Sequence, residues 1–396
     1  MLLAHRTREQ IYSRKGNGGA ATPELKKTIT YLTTGLTLGG AELQLTRIAI
    51  GMKSRGWDVD VVSMLPPVDL VDELKTAGVS VSSLNMSPIP NPMAVFKLAG
   101  RLRRNGTVVL HSHMAKANFL GRIAALVARV PVQVSTAHNI VEGGRWIELA
   151  YRFTDRLADV TTNVSRRAVD RYVAVGAVSP DRAQLMRNGL DTTRFARDYE
   201  SRTEYRGVFV LEDKFTWLAV GRMAPGKDYP NLIRAFRRVV DSSPHVHLLV
   251  VGKGPLTAEI ERMISEAGLS TYITMLGERK DVAAIMSSAD AYVMSSAWEG
   301  APIVLLEASA GRLPVVTTDV GGNAELVQHG RTGIVAPPGD DAALADGMLR
   351  IMAMSDDDRE EMGRAGQAFV EREFSLPRML DRWEELYESL IKRKTG

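Results

Sequence analysis

Two short segments in the second half of the chain carry side-chain types that can bind phosphate and sugar oxygens. In Gly221-Arg222-Met223-Ala224-Pro225-Gly226-Lys227-Asp228, glycines allow a tight turn, Arg222 can fork onto phosphate oxygens and Lys227 adds a mobile point charge. Two such cations neutralise a diphosphate, so the pattern calls for no divalent metal, and no Asp-x-Asp pair follows a predicted strand. Taken alone, the same two side chains read equally well as surface salt-bridge partners. Ser295-Ser296-Ala297-Trp298-Glu299-Gly300-Ala301-Pro302 leads into a predicted helix from Ile303 to Ala308, with Pro302 suited to its first turn. The N–H groups of Ala301, Ile303 and Val304 would then leave a helix N-terminus able to hold phosphate or sugar oxygens. Glu299 and Glu307 flank that point about 12 Å apart at 1.5 Å per residue, and carboxylates accept pairs of sugar hydroxyls. Spacing is not diagnostic, since Glu204 and Glu212 repeat it without a strand before them. The plain alternative is a dipole carboxylate and an exposed helix glutamate.

The first half has weaker signals. Gly39-Gly40-Ala41-Glu42 joins a predicted strand to a helix, where glycines let a ligand approach the helix N-terminus but are also ordinary turn chemistry. His111-Ser112-His113 ends another strand. Alternation puts both rings on one side, and termination of the strand before His113 would free it for substrate. A buried hydrogen-bonded pair and a zinc pair are the other readings, with no third ligand evident. His138 also follows a strand. Gly252-Lys253-Gly254-Pro255 resembles part of a phosphate loop, although a glycine turn before a helix explains it equally. Lys97, Arg101, Arg103 and Arg104 on one helix could face anionic lipid or simply water.

The elements that must position these residues alternate. Predicted strands begin at Thr28, Val59, Val79, Val108, Val132 and Val160, with helices such as Met93–Arg104 between them. Polar residues from Asp198 to Lys214 interrupt the series and read as a linker. A second series then starts at Phe215, His247, Ile273, Ala291 and Val315. Alternation implies parallel pairing with right-handed crossovers, hence two doubly wound α/β domains that bind ligands beyond the carboxyl ends of their strands. Residues 1–26 lack apolar periodicity and read as a disordered extension, and Met379 to Ile391 as a closing amphipathic helix.

Composition narrows the chemistry. With 396 residues and no cysteine, disulfides, thiolate nucleophiles and cysteine metal sites are excluded. No uncharged apolar run reaches the roughly 18 residues that span a bilayer, which leads to the expectation of a cytoplasmic protein. Residues 1–200 hold 27 basic and 17 acidic side chains, and the remainder 23 and 29. A basic half therefore precedes an acidic one, and the basic half is expected to meet something anionic, either a lipid headgroup surface or nucleic acid, which composition does not separate.

In their order, these motifs resemble those of retaining glycosyltransferase family 4. Besides those above, the resemblance rests on Asn188-Gly189-Leu190-Asp191, Leu276-Gly277-Glu278-Arg279 with Asp281, and Val320-Gly321-Gly322. It covers about residues 28 to 391 and implies the GT-B fold, two Rossmann-like domains facing across a cleft. The expected division is an acceptor-binding domain at 27–200, a nucleotide-sugar domain at 201–375 and a helix at 376–396 returning to the first. The resemblance implies that Arg222 and Lys227 hold the donor diphosphate, that Glu307 binds ribose and that Glu299 binds the transferred sugar. It further implies that Gly39 and Gly40 approach the phosphates, that the backbone near Arg279 meets the base, and that His113 orients the donor sugar by its carbonyl or ring. The expected activity is retaining transfer of a hexose or N-acetylhexosamine from a UDP-sugar to a lipid-linked or polysaccharide acceptor at the membrane face. No cofactor, metal or nucleic acid is expected. A nucleotide-sugar 2-epimerase and a non-catalytic nucleotide-sugar-binding subunit are the competing readings.

Overall fold

The computed structural model describes residues 12–13, 24–37, 39–86 and 91–395. The chain divides into two units, one running to Gly189 and resuming at Pro377, the other spanning Leu190–Leu376. Much of the expected extension at 1–26 lies outside the described residues. Within it, β1 (Tyr12–Ser13) and β2 (Glu24–Leu25) pair antiparallel, an element absent from the sequence reading.

The first unit is built on β3 (Thr28–Thr33), β4 (Asp58–Ser63), β5 (Ser80–Ser83), β6 (Val109–His113), β7 (Val132–Ala137), β8 (Val160–Asn163) and β9 (Ala183–Leu185). They form a parallel sheet in the order β5-β4-β3-β6-β7-β8-β9. β-branched runs predict these central strands because both faces are covered by helices, so no polar alternation is imposed. The order reverses between β3 and β6, which pair with Thr33 opposite His113. A doubly wound sheet opens its ligand crevice at such a point.

The second unit repeats the plan with β10 (Phe215–Val220), β11 (Val246–Val251), β12 (Ile273–Gly277), β13 (Ala291–Met294), β14 (Val315–Thr318) and β15 (Gly333–Ala336), in the order β12-β11-β10-β13-β14-β15. Here the reversal falls between β10 and β13. Trp217, Phe236 and Leu248 are fully or nearly fully buried in its core.

The expected linker at 198–214 is corrected. Tyr199–Val208 is a helix capped by Asp198, and it packs on the helix Val282–Ser288. Arg202 and Arg206 reach Asp290 at 2.5 and 3.2 Å and also bond backbone carbonyls of Ser287 to Ala289. The helix buries no residue fully, so polar anchoring replaces the apolar stripe on which the sequence reading depended. The division between the units accordingly falls after Gly189, ahead of the expected position near residue 200.

The last helix, Leu376–Thr395, packs on the first unit. Glu384 accepts from the Trp57 indole at 2.9 Å and pairs with Lys27 and Arg55, and Tyr387 is buried against Trp57. Among the described residues no helix is long and apolar enough to cross a membrane.

Candidate active site

The expected donor residues follow the two strands at which the second sheet reverses. The Arg222–Lys227 turn follows β10 and the Glu299 segment follows β13. The two loops are tied together. Ala297 N–H donates to the Gly226 carbonyl at 2.9 Å, and the Ser295 hydroxyl lies 2.9 and 3.0 Å from the carbonyls of Lys227 and Asp228. Lys227 Nζ meets Glu299 Oε1 at 2.5 Å, and the same oxygen accepts from Ser296 Oγ at 2.7 Å. The side chains of this pair are only 22% and 14% exposed. It is therefore shielded from the screening that makes surface pairs negligible, and the ammonium is held in a defined place.

Arg222 lies exposed on the same turn. Asp228 ends the turn in a left-handed conformation (φ 45°) and caps the helix Tyr229–Ser242, its carboxylate accepting from Asn231 N–H. Across the junction, Pro302 occupies the N-cap in extended conformation and the helix spans Ile303–Ala310, starting at the expected residue. Ile303 and Val304 are its first residues, so their N–H groups have no intrahelical acceptor. Glu307 sits half-buried one turn on. Both Glu299 and Glu307 push up the ionisation of the buried Tyr292 phenol, after burial itself. Tyr292 OH in turn bonds the Val220 carbonyl at the end of β10.

Glycines brace both loops from neighbouring strands, a role not apparent from the sequence. Gly252 follows β11 at φ +138°, and a Cβ there would overlap the Gly221 carbonyl. A side chain on Gly254 would likewise strike the Met223 backbone. Gly252-Lys253-Gly254-Pro255 is thus a buttress beneath the Arg222 turn. Val320-Gly321-Gly322 does the same after β14: Gly321 abuts the Glu299 carbonyl, and Gly322 N–H donates to Gly300 O at 2.7 Å. Ser295 and Ser296 were equally unassigned, because serines after a strand carry no signal of their partners.

Arg279 follows the edge strand β12 and binds Asp281 through two bonds of 2.8 and 2.5 Å. That partner, ahead of Tyr205, holds the Asp281 carboxyl down at about 2. The guanidinium is therefore engaged within its own turn, leaving the backbone of this turn as the expected contact.

In the first unit, Gly39 caps the helix Gly40–Ser54 in extended conformation. The Glu42 carboxylate folds back over it, where a Cβ on Gly39 would collide, and burial raises the ionisation of that carboxyl. A cavity of about 600 Å³ opens at the ends of β3, β6 and β7, lined in part by Thr34, Glu42, Lys116, Asn139 and Glu142.

The expectation that β6 stops before His113 is overturned. The strand runs through His113, whose ring is 1% exposed. His113 Nδ1 lies 2.9 Å from His138 Nε2, its own Nε2 is buried without a hydrogen-bond partner, and the His111 ring packs 4.1 Å away. His111 is satisfied by Tyr387 OH and Thr136 Oγ1, each at 2.7 Å. Among the described residues no group of three or more His, Asp or Glu side chains is arranged to hold a metal.

Burial drives all three imidazoles below their ordinary value, His138 to about 4. The unfolded chain titrates near 6.5, so below that pH it takes up protons that the fold refuses. Stability is therefore expected to fall as pH drops from about 6.5 toward 4. His138→Gln should make the slope of unfolding free energy against pH shallower by up to about 1.4 kcal/mol per pH unit in this window. An unchanged slope would show that His138 does not titrate with unfolding.

On the basic helix Met93–Arg104, among the described residues, only Arg101 is paired with an acid, while Lys97, Arg103 and Arg104 remain exposed. Arg101 is bound by Asp60 at 2.7 and 2.8 Å, Arg103 donates to the Val127 carbonyl and Lys97 to that of Leu84.

Comparison with known proteins decides the family. Residues 201–369 match the model of glycosyl transferases group 1, and residues 38–194 that of glycosyltransferase family 4. The chain belongs to glycosyltransferase family 4. The UDP-Gal:alpha-D-GlcNAc-diphosphoundecaprenol alpha-1,3-galactosyltransferase of Escherichia coli is 24% identical over 338 residues, covering 82% of this chain and 86% of that enzyme. A GDP-mannose-dependent phosphatidylinositol monomannoside mannosyltransferase of Mycobacterium tuberculosis is 30% identical over 246 residues, 59% of this chain and 60% of the relative. Among solved structures, Anabaena Alr3699/HepE in complex with UDP superposes with a TM-score of 0.83 at 22% identity, covering 91% of this chain and all of that one. The family-4 chain therefore has the GT-B fold and is a glycosyltransferase.

Proposed function

We propose that the protein transfers a hexose or N-acetylhexosamine from a UDP-sugar to a hydroxyl of a lipid-linked or polysaccharide acceptor, with retention of configuration. The observation that carries this is the junction of Lys227 with Glu299, the ends of two loops at the reversal point of one sheet. A glycosyl–diphosphate bond breaks with negative charge gathering on the departing phosphate, so catalysis consists mainly of preset positive groups at that oxygen. Lys227, Arg222 and the N–H groups of Ile303 and Val304 serve that end. Glu299 holds both Lys227 and hydroxyls of the sugar, and Glu307 holds the ribose. The departing phosphate takes the acceptor proton on the face it leaves, so no hydrolase-type carboxylate pair is needed. The backbone at Arg279 meets the base.

The UDP in the Anabaena structure and the UDP-Gal in the E. coli name favour a uridine donor. The GDP-mannose of the mycobacterial relative supports guanosine as the second reading. Thermal stabilisation and turnover against a panel of UDP- and GDP-sugars decide between them. Release of an isomerised free nucleotide sugar would indicate a 2-epimerase, and binding without turnover on any acceptor a silent subunit. Because Arg222 and Lys227 are assigned the neutralising charge, turnover should change less than about twofold in excess EDTA. Loss of turnover that Mg²⁺ restores would contradict that assignment.

A further inference from the structure

We propose that the helix Gly144–Thr154 of the first unit is a docking surface for a bilayer carrying anionic headgroups. The inference rests on the reading of a membrane-borne acceptor given above. Trp146, Leu149 and Phe153 recur at i, i+3 and i+7 on this helix, a spacing that ordinarily turns side chains into a core. Here they face outward, Trp146 83% and Phe153 81% exposed. Arg145 and Arg152 lie exposed on the same helix, and Arg156 in the short turn after it. The helix has one acid, Glu148, and that side chain is bound to Arg171. The outward face is thus an apolar stripe beside a cationic one, the pattern of a helix lying in a lipid interface with its aromatic rings at headgroup depth.

A second copy of the chain fits this face poorly. Three large side chains offer about 500 Å², against roughly 1,200 Å² for a stable interface, and a two-fold contact would oppose arginine to arginine. A bilayer satisfies both halves of the face at once.

The helix is anchored to the neighbouring cavity. Glu142, just before it, accepts from His138 N–H at 2.9 Å and from Tyr151 OH at 2.8 Å, so the buried side of the helix and the end of β7 move as one piece. Val141, Glu142 and Gly143 line the 600 Å³ cavity together with Lys116. A lipid-borne acceptor held at the helix would present its head at the strand ends.

The test is sedimentation of the full chain with phosphatidylcholine vesicles, with and without about 30 mol% phosphatidylglycerol. Trp146→Ser with Phe153→Ser should lower partitioning at least about tenfold. Arg145→Gln with Arg152→Gln should remove about 30-fold of the preference for anionic vesicles. Lys97→Gln with Arg104→Gln, on the helix Met93–Arg104, should leave both nearly unchanged. Unaltered partitioning of the Trp146/Phe153 variant, or loss in the Lys97/Arg104 variant, would overturn the proposal. So would a concentration-dependent dimer in sedimentation velocity that the Trp146/Phe153 change abolishes. UDP and GDP titrations on the same preparations separate the two readings. Nucleotide binding without vesicle binding sinks the docking surface alone, whereas vesicle binding without nucleotide binding sinks the donor reading alone.

Discussion

Lys227→Ala is expected to weaken binding of the donor's nucleoside diphosphate by about 10- to 150-fold, the equivalent of about 1.5–3 kcal/mol for a charge-assisted hydrogen bond. The effect is large because the ammonium is preset. It is fixed on Glu299 at 2.5 Å, and its stem lies over Gly221, where a Cβ would stand 3.1 Å from Lys227 Cε. A cation already in place loses little rotamer freedom when the diphosphate arrives. Lys227→Arg should restore binding only in part, since a planar fork cannot retain both Glu299 and the diphosphate from this turn. Isothermal titration measures both variants, and wild-type affinity in Lys227→Ala would remove the residue from the diphosphate site.

Glu299→Ala is expected to lower kcat/KM by about 100- to 1,000-fold while changing diphosphate affinity less than tenfold. Two effects combine. The carboxylate leaves the sugar hydroxyls, and Lys227 loses the partner that orients it. Both bonds to Glu299 fall on Oε1, from Lys227 and Ser296. Glu299→Gln separates the effects, because its amide keeps an acceptor for a hydroxyl but no longer charge-pairs with Lys227. Steady-state kinetics with a saturating acceptor would reveal the split, and full activity in Glu299→Ala would show that this carboxylate holds neither group.

The parts of the site that could be read from sequence are those in which residue type follows directly from chemistry. Arg222, Lys227, Glu299 and the helix start near Pro302 follow strands marked by β-branched runs, and each is found at the reversal of the second sheet. What supports them was not legible. Gly252, Gly254 and Gly321 are required by backbone from other strands, a long-range contact that leaves only an ordinary turn signature locally. The end of β6 was not legible, because alternation fixes which face a ring takes but not where pairing stops, and β7 continues opposite His113 to Thr136. The edge strands β9 and β15 are short, and the helix Tyr199–Val208 is held by arginines instead of an apolar stripe. The exposed Trp146 and Phe153 show the converse, a core-like period with no core over it.

The central claim is that the Arg222 turn and the Glu299 segment recognise a diphosphate. Its most direct test is the affinity ratio of nucleoside diphosphate to monophosphate, for uridine and for guanosine, in wild type and in Arg222→Gln with Lys227→Gln. The wild-type protein should prefer the diphosphate of its donor base by about 30-fold or more, with the double variant retaining less than threefold. A preference left intact in the double variant would contradict the account.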